Sequence, residues 1–181
     1  MKQKLLFIAF AFFSAIAGHA QLYSTSTGVV GFYSKTALEN IEAESKTVLS
    51  VMNIATKELA IIITNTSFSF PNKLMEEHFN EKYVESEKFP KSTFKGKINE
   101  AVDLTKDGEY KVTVTGKLNI HGVEQDRTII GTILVKGGVI QIMSTFKVKN
   151  VDHKIEIPTI VTAKISEEID VKVDLKLLPK K

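Results

Sequence analysis

Three histidines lie beyond residue 20, at His78, His121 and His153, and no two of them stand at metal-ligand spacing. Solvent-facing or capping roles suit them better than a metal site. Asp152-His153 supplies two members of a hydrolytic triad, but the sequence contains no strained Gly-x-Ser-x-Gly elbow to carry the nucleophile. Glu76-Glu77 offers paired carboxylates for acid/base work. Adjacent residues on a helix point in different directions, however, so a solvated helix start is the better reading. Arg127, the one arginine, has a fork suited to an anionic head group. Asp126 beside it favours an ordinary surface charge. The chain has no cysteine, which excludes disulfides, thiolate metal sites and cysteine nucleophiles. No nucleophile, base and oxyanion stabiliser come together. The residues therefore read as a binding protein rather than an enzyme, with no cofactor implied.

The elements that must position a binding site begin after an export segment. Lys2 and Lys4 form a charged start, Leu5 to Ala17 is an apolar run, and Gly18-His19-Ala20 presents small residues at the positions a signal peptidase reads. The cut is expected before Gln21. The run is too short for a membrane anchor, which needs about 20 apolar residues, so no transmembrane segment is expected in the mature chain. Losing residues 1–20 removes two lysines and no acid, and the formal charge falls from +3 to +1. Lysines alternate with acids throughout, which argues against nucleic acid as a partner. Residues 21–181 read as one domain.

Alternation with period two dominates this domain and marks strands with one buried face. In Tyr110–Ile120 every even position is apolar or glycine and every odd one is polar. Phe94, Gly96, Ile98, Val102 and Leu104 repeat the pattern with Glu100 as the intrusion. Ile140, Ile142, Phe146 and Val148 repeat it again, and Ile169 to Leu177 closes the chain. Earlier strands are expected at Val29–Ser34, Lys46–Met52 and Leu59–Asn65. Leu59–Ile63 is apolar on both faces, so something else must cover one of them. Asp107-Gly108 and Gly137-Gly138 are short-hairpin signals and His121-Gly122 marks a further corner, making neighbours antiparallel. One segment breaks the pattern: Pro71–Tyr83 carries apolar residues at helical spacing behind a Pro-Asn start. Closing so many long strands into a barrel removes the exposed edges.

About eight strands enclose an interior that is either filled by side chains or holds one slim ligand. Gly96, Gly116 and Gly131 each fall on the inward phase of a strand, and glycine there marks a bend or a close approach of backbone or ligand. Three together favour a hollow interior.

Three stretches carry a resemblance to a known family. Ser67-Phe68-Ser69-Phe70, Met75–Phe79 and Phe89–Gly96 form the first, Gly108–Val123 the second, and Phe146 with Asp152–Ile155 and Pro158 the third. Together they resemble the YceI-like family. The resemblance implies an all-β fold: an eight-stranded antiparallel lipocalin-like barrel with one short helix near one end, in a periplasmic or secreted protein. It further implies a pore for a long apolar chain, a polyisoprenoid or isoprenoid quinone, lined or lidded by Phe68, Phe70, Leu74, Met75 and Phe79. The inward phase of the strands adds Phe94, Gly96, Ile98, Val112, Val114, Gly116, Leu118, Gly131, Ile140, Ile142 and Phe146 as expected ligand contacts. Asn119 and Glu124 stand where the family usually has threonine, and His153 where an aromatic is common. The alternative function is a packed barrel serving as an interaction module without ligand. Oligomeric state is left open, a homodimer being one option.

Overall fold

The computed structural model describes residues 22–180, so the export segment and its cut before Gln21 lie outside the described residues. Eight antiparallel strands close into one barrel in sequence order: β1 (Leu22–Lys35), β2 (Asn40–Asn53), β3 (Glu58–Thr64), β4 (Lys91–Ile98), β5 (Gly108–Ile120), β6 (Val123–Lys136), β7 (Val139–Lys149) and β8 (Glu168–Pro179). Closure comes from β1 pairing antiparallel with β8, Val30 opposite Val173 and Phe32 opposite Val171. β1 and β2 are longer than the expected Val29–Ser34 and Lys46–Met52, because polar outward residues at both ends still join the ladders, whereas β3 keeps the expected length and Asn65 falls in the 3-10 turn that follows it. Fourteen residues of β1 reach roughly 45 Å along the strand.

Two of the three expected corners are two-residue turns. His121-Gly122 joins β5 to β6 with Ile120 opposite Val123, and Gly137-Gly138 joins β6 to β7 with Lys136 opposite Val139. Both residues of each turn have positive φ, as primed hairpin turns require. Asp107-Gly108 is not such a turn. β4 ends at Ile98, and residues 99–107 form a longer connection. In it the Glu100 carboxylate accepts from the Thr113 amide and hydroxyl, both at 2.8 Å, and Asp107 accepts from Gly137 N of the neighbouring turn at 3.1 Å. Val102 and Leu104 therefore belong to no strand; Leu104 folds under the barrel and is 2% exposed.

The helix-like stretch resolves into α1 (Lys73–His78) followed by a π-helical turn at Phe79–Tyr83. Asn72 caps α1 by accepting from Leu74 N at 2.9 Å. Glu76 accepts from Phe70 N and pairs with Lys73, and these hydrogen bonds hold its carboxyl below the ordinary range. No helix among the described residues is long and apolar enough to cross a membrane.

These connections make the two ends unlike. At the closed end the strands meet through residues 54–57, 99–107 and 137–138. At the open end lie residues 36–39, the long 65–90 segment with α1, the turn at 121–122, and residues 150–167. Inward side chains near the closed end, Met52, Val135, Ile140, Leu175 and Leu177, pack with Leu104 into a solid plug. Ala60 and Ile62, the outward half of the doubly apolar β3, lie opposite Val51 and Leu49 of β2. Among the described residues no element packs over them, and Leu49 and Val51 remain exposed.

The β6–β7 ladder stops at the open side of Gly131 and Ser144. Side chains take over from there. Ser144 Oγ donates to Ile130 O at 2.6 Å, Arg127 donates to Lys147 O and pairs with Asp152 at 3.7 Å, and His153 Nδ1 bonds Val123 O at 3.0 Å. Arg127 is thus a clasp across a seam rather than a free surface charge.

Candidate ligand cavity

Above the plug the barrel is hollow. A cavity of about 530 Å³ runs through the open half, within the range of small-molecule sites. Its wall is built by strand alternation: Val30 and Phe32 from β1, Leu59, Ile61 and Ile63 from β3, Phe94 and Ile98 from β4, and Val112, Val114 and Leu118 from β5. Ile129, Gly131 and Ile133 from β6, Ile142 and Phe146 from β7, and Val171 and Val173 from β8 complete it. Polar groups gather toward the mouth, where Glu39, Asn72, His78 and Lys164 meet the cavity.

The 65–90 segment roofs this space. It is anchored by Asn65, fully buried, whose amide donates to Phe89 O at 2.6 Å and whose carbonyl accepts from Ser92 Oγ at 2.8 Å. A second anchor is the Glu44–Ser69 backbone bridge to β2. These fix Phe68 and Phe70 pointing inward. Phe79 then packs against three rings at once, Phe32 at 5.1 Å, Phe70 at 5.2 Å and Phe68 at 5.6 Å between centroids. Such spacings are favourable for aromatic pairs. Met75 and Phe79 are half-buried, and Leu74 reaches the cavity while staying 57% exposed. The roof is thus held by rings from below and left thin above.

The roof also has a latch. His121 Nε2 lies 2.6 Å from Glu85 Oε2 and its Nδ1 lies 3.1 Å from His153 O. The hydrogen bond to His121 holds the Glu85 carboxyl below its ordinary range. Phe89 packs edge-on against the His121 ring at 4.6 Å. Glu85, His121 and Lys154 all take positive φ, clustering backbone strain where three of the four open-end connections meet. His153 is fully buried rather than solvent-facing, and desolvation pushes its imidazole below the usual histidine value against the pull of the Val123 carbonyl.

Of the positions expected to contact ligand, Phe68, Phe70, Leu74, Met75, Phe79, Phe94, Ile98, Val112, Val114, Leu118, Gly131, Ile142 and Phe146 line this one cavity. Ile140 does not; it is fully buried in the plug. Gly96 and Gly116 do not line it either. They face each other across β4 and β5, and a Cβ on Gly116 would lie 2.2 Å from Lys95 O and 2.4 Å from the Gly96 Cα. These two glycines let two backbones approach, so they leave no room for a lipid, and Gly116→Leu would pry β4 from β5 without reporting on the cavity. Phe32, Ile129, Val171 and Val173 were absent from the expected set. For Val171 and Val173 the signal was present in the alternation of the last strand.

An apolar cavity inside a closed eight-stranded antiparallel barrel defines a binding-barrel architecture of the lipocalin-like kind. The YceI-like domain profile matches residues 14–177, and the chain belongs to that family. Among curated proteins no sequence matches the chain. Among solved structures, a polyisoprenoid binding domain from Saccharophagus degradans, implicated in plant cell wall breakdown, is similar with a TM-score of 0.76 at 15% identity. It covers 89% of this chain and 99% of its own. Burkholderia cenocepacia BcnA is similar at 0.70 and 20% identity, over 82% of this chain and 95% of that one. A Campylobacter jejuni YceI protein gives 0.58 at 18% identity, over 100% and 99%.

Proposed function

We propose that this chain is an exported lipid-binding protein whose barrel holds one isoprenoid-like apolar chain, a polyisoprenoid or the tail of an isoprenoid quinone, for transport, storage or stress protection. The carrying observation is the cavity: apolar along its depth except at Ser144, stopped by the plug at one end and lined by most of its polar groups near the other. A slim apolar chain with a polar head fits that gradient, its head beside Asn72, His78 and Lys164. Burial of the chain would gain roughly 25 cal/mol per Å² removed from water. The ligand named for the Saccharophagus degradans domain supports the chemical class. Export to the periplasm or beyond is supported by the charged and apolar character of the first twenty residues.

Apolar extraction of purified protein followed by mass spectrometry tests this. An isoprenoid lipid is expected in the wild type, and Val173→Phe, which puts a ring into the cavity from β8, should lose it while remaining folded. Wild-type protein that never yields lipid would return the barrel to a ligand-free interaction module, and full occupancy in Val173→Phe would defeat this placement of the site.

A further inference from the structure

Among the described residues, four exposed large apolar side chains, Leu49, Val51, Ile130 and Leu178, lie on the strands, and the other four, Leu38, Leu74, Val151 and Ile160, 70%, 57%, 76% and 89% exposed, all stand on connections at the open end. Leu38 and Ile160 are held outward by local structure. The Thr36 hydroxyl accepts from Leu38 N at 3.3 Å and Glu39 N at 3.0 Å, a tight turn that leaves Leu38 no core to fold onto. In the uncharged stretch Pro158–Ala163, Val161 turns into the cavity while Ile160 turns away from it. The Lys164–Glu39 ion pair at 3.7 Å ties this stretch to the Leu38 turn, so both apolar tips flank one side of the mouth.

We propose that the open end docks on a lipid bilayer, with Leu38, Leu74 and Ile160 entering its surface around the cavity mouth. Single protruding side chains on three separate connections form no groove for a folded partner. They suit a medium that deforms around each of them. The cavity opens among them, so an apolar chain crossing between hydrocarbon and barrel stays out of water. Charge narrows the surface further. The open-end connections, residues 36–39, 65–90, 121–122 and 150–167, carry nine acids and five lysines. This acidic rim repels anionic headgroups, so the docked surface is one of little net charge, reached through apolar insertion. The proposal rests on the lipid-binding reading for its cargo, and the two can fail separately.

The test is co-sedimentation with phosphatidylcholine vesicles and with phosphatidylglycerol-rich vesicles at low salt. Wild-type protein should bind the first more tightly than the second. Leu38→Ser combined with Ile160→Ser, neither of which lines the cavity, should weaken binding about tenfold or more. Its unfolding midpoint and extracted lipid should stay at wild-type values. The chain has no tryptophan, so Ile160→Trp supplies a single fluorophore whose emission should shift blue on phosphatidylcholine. Wild-type protein left in the supernatant, a double variant that binds equally, or an unmoved emission would overturn the docking. Tighter binding to phosphatidylglycerol would overturn the neutral surface. Vesicle binding with empty extracts would remove the cargo and leave the docking standing.

Discussion

Leu177 and Val173 share a strand, a face and a phase, yet they meet different surroundings. Leu177 is fully buried beside Leu175 and Ile140 in the plug, whereas Val173, four residues nearer the open end, lines a space that no side chain of the barrel fills. The same alternation built both. At the closed end Leu104 comes in under the strands and, with the inward Met52 of β2, completes the packing. At the open end the 65–90 segment spans the mouth without filling it. Stability is concentrated in one half of the barrel and binding capacity in the other.

The sharpest way to break this division is along β8 itself. Leu177→Ala should cost about 2–5 kcal/mol, since its neighbours are close-packed and cannot collapse into the gap. Val173→Ala should cost under about 1 kcal/mol, because it merely widens a void that already exists. Urea titrations of the two variants check this, and equal costs would mean that the ends do not differ. The roof should fall between them. Phe79→Ala removes a half-buried ring that touches three others, and about 1–3 kcal/mol is expected rather than the 3–5 of a fully buried one. Faster ligand release accompanying that loss would mark the helix as a lid. The smallest effect lies at the seam. Burial depresses the His153 pKa in the fold, so the unfolded chain takes up the proton first as the pH falls. Stability should be level above about pH 6.5 and decline as the pH drops from there toward the lower folded value. His153→Phe should abolish that slope in urea midpoints taken from pH 8 to pH 5.

Much of this was legible in the sequence. Period-two alternation marked the inward faces of β5, β7 and β8, and Gly137-Gly138 and His121-Gly122 marked true turns because only such residues take positive φ there at low cost. Asp107-Gly108 misled, since an identical dipeptide can end a longer connection whose residues bond elsewhere. The division into plug and cavity was not legible at all. An inward Ile or Val looks the same whether it meets a neighbour or a void, and what decides is the Leu104 connection below and the 65–90 segment above. Gly96 and Gly116 were placed inward correctly, but their partner is each other's backbone, a relation set by strand register rather than by either strand alone. His153 read as solvent-facing or capping because the element that buries it, the β5–β6 hairpin, lies some thirty residues earlier in the sequence.

The seam between β6 and β7 bears on the girth of the barrel. Where a backbone ladder joins two strands, their spacing is fixed at about 4.8 Å whatever the side chains. Beyond Gly131 and Ser144 that rule lapses, and the distance between the two staves is set by the reach of Ser144, Gln125, Arg127 and His153. On that side the circumference of the open half is therefore encoded in residue identity, and a change of these side chains can resize it while the topology stays the same.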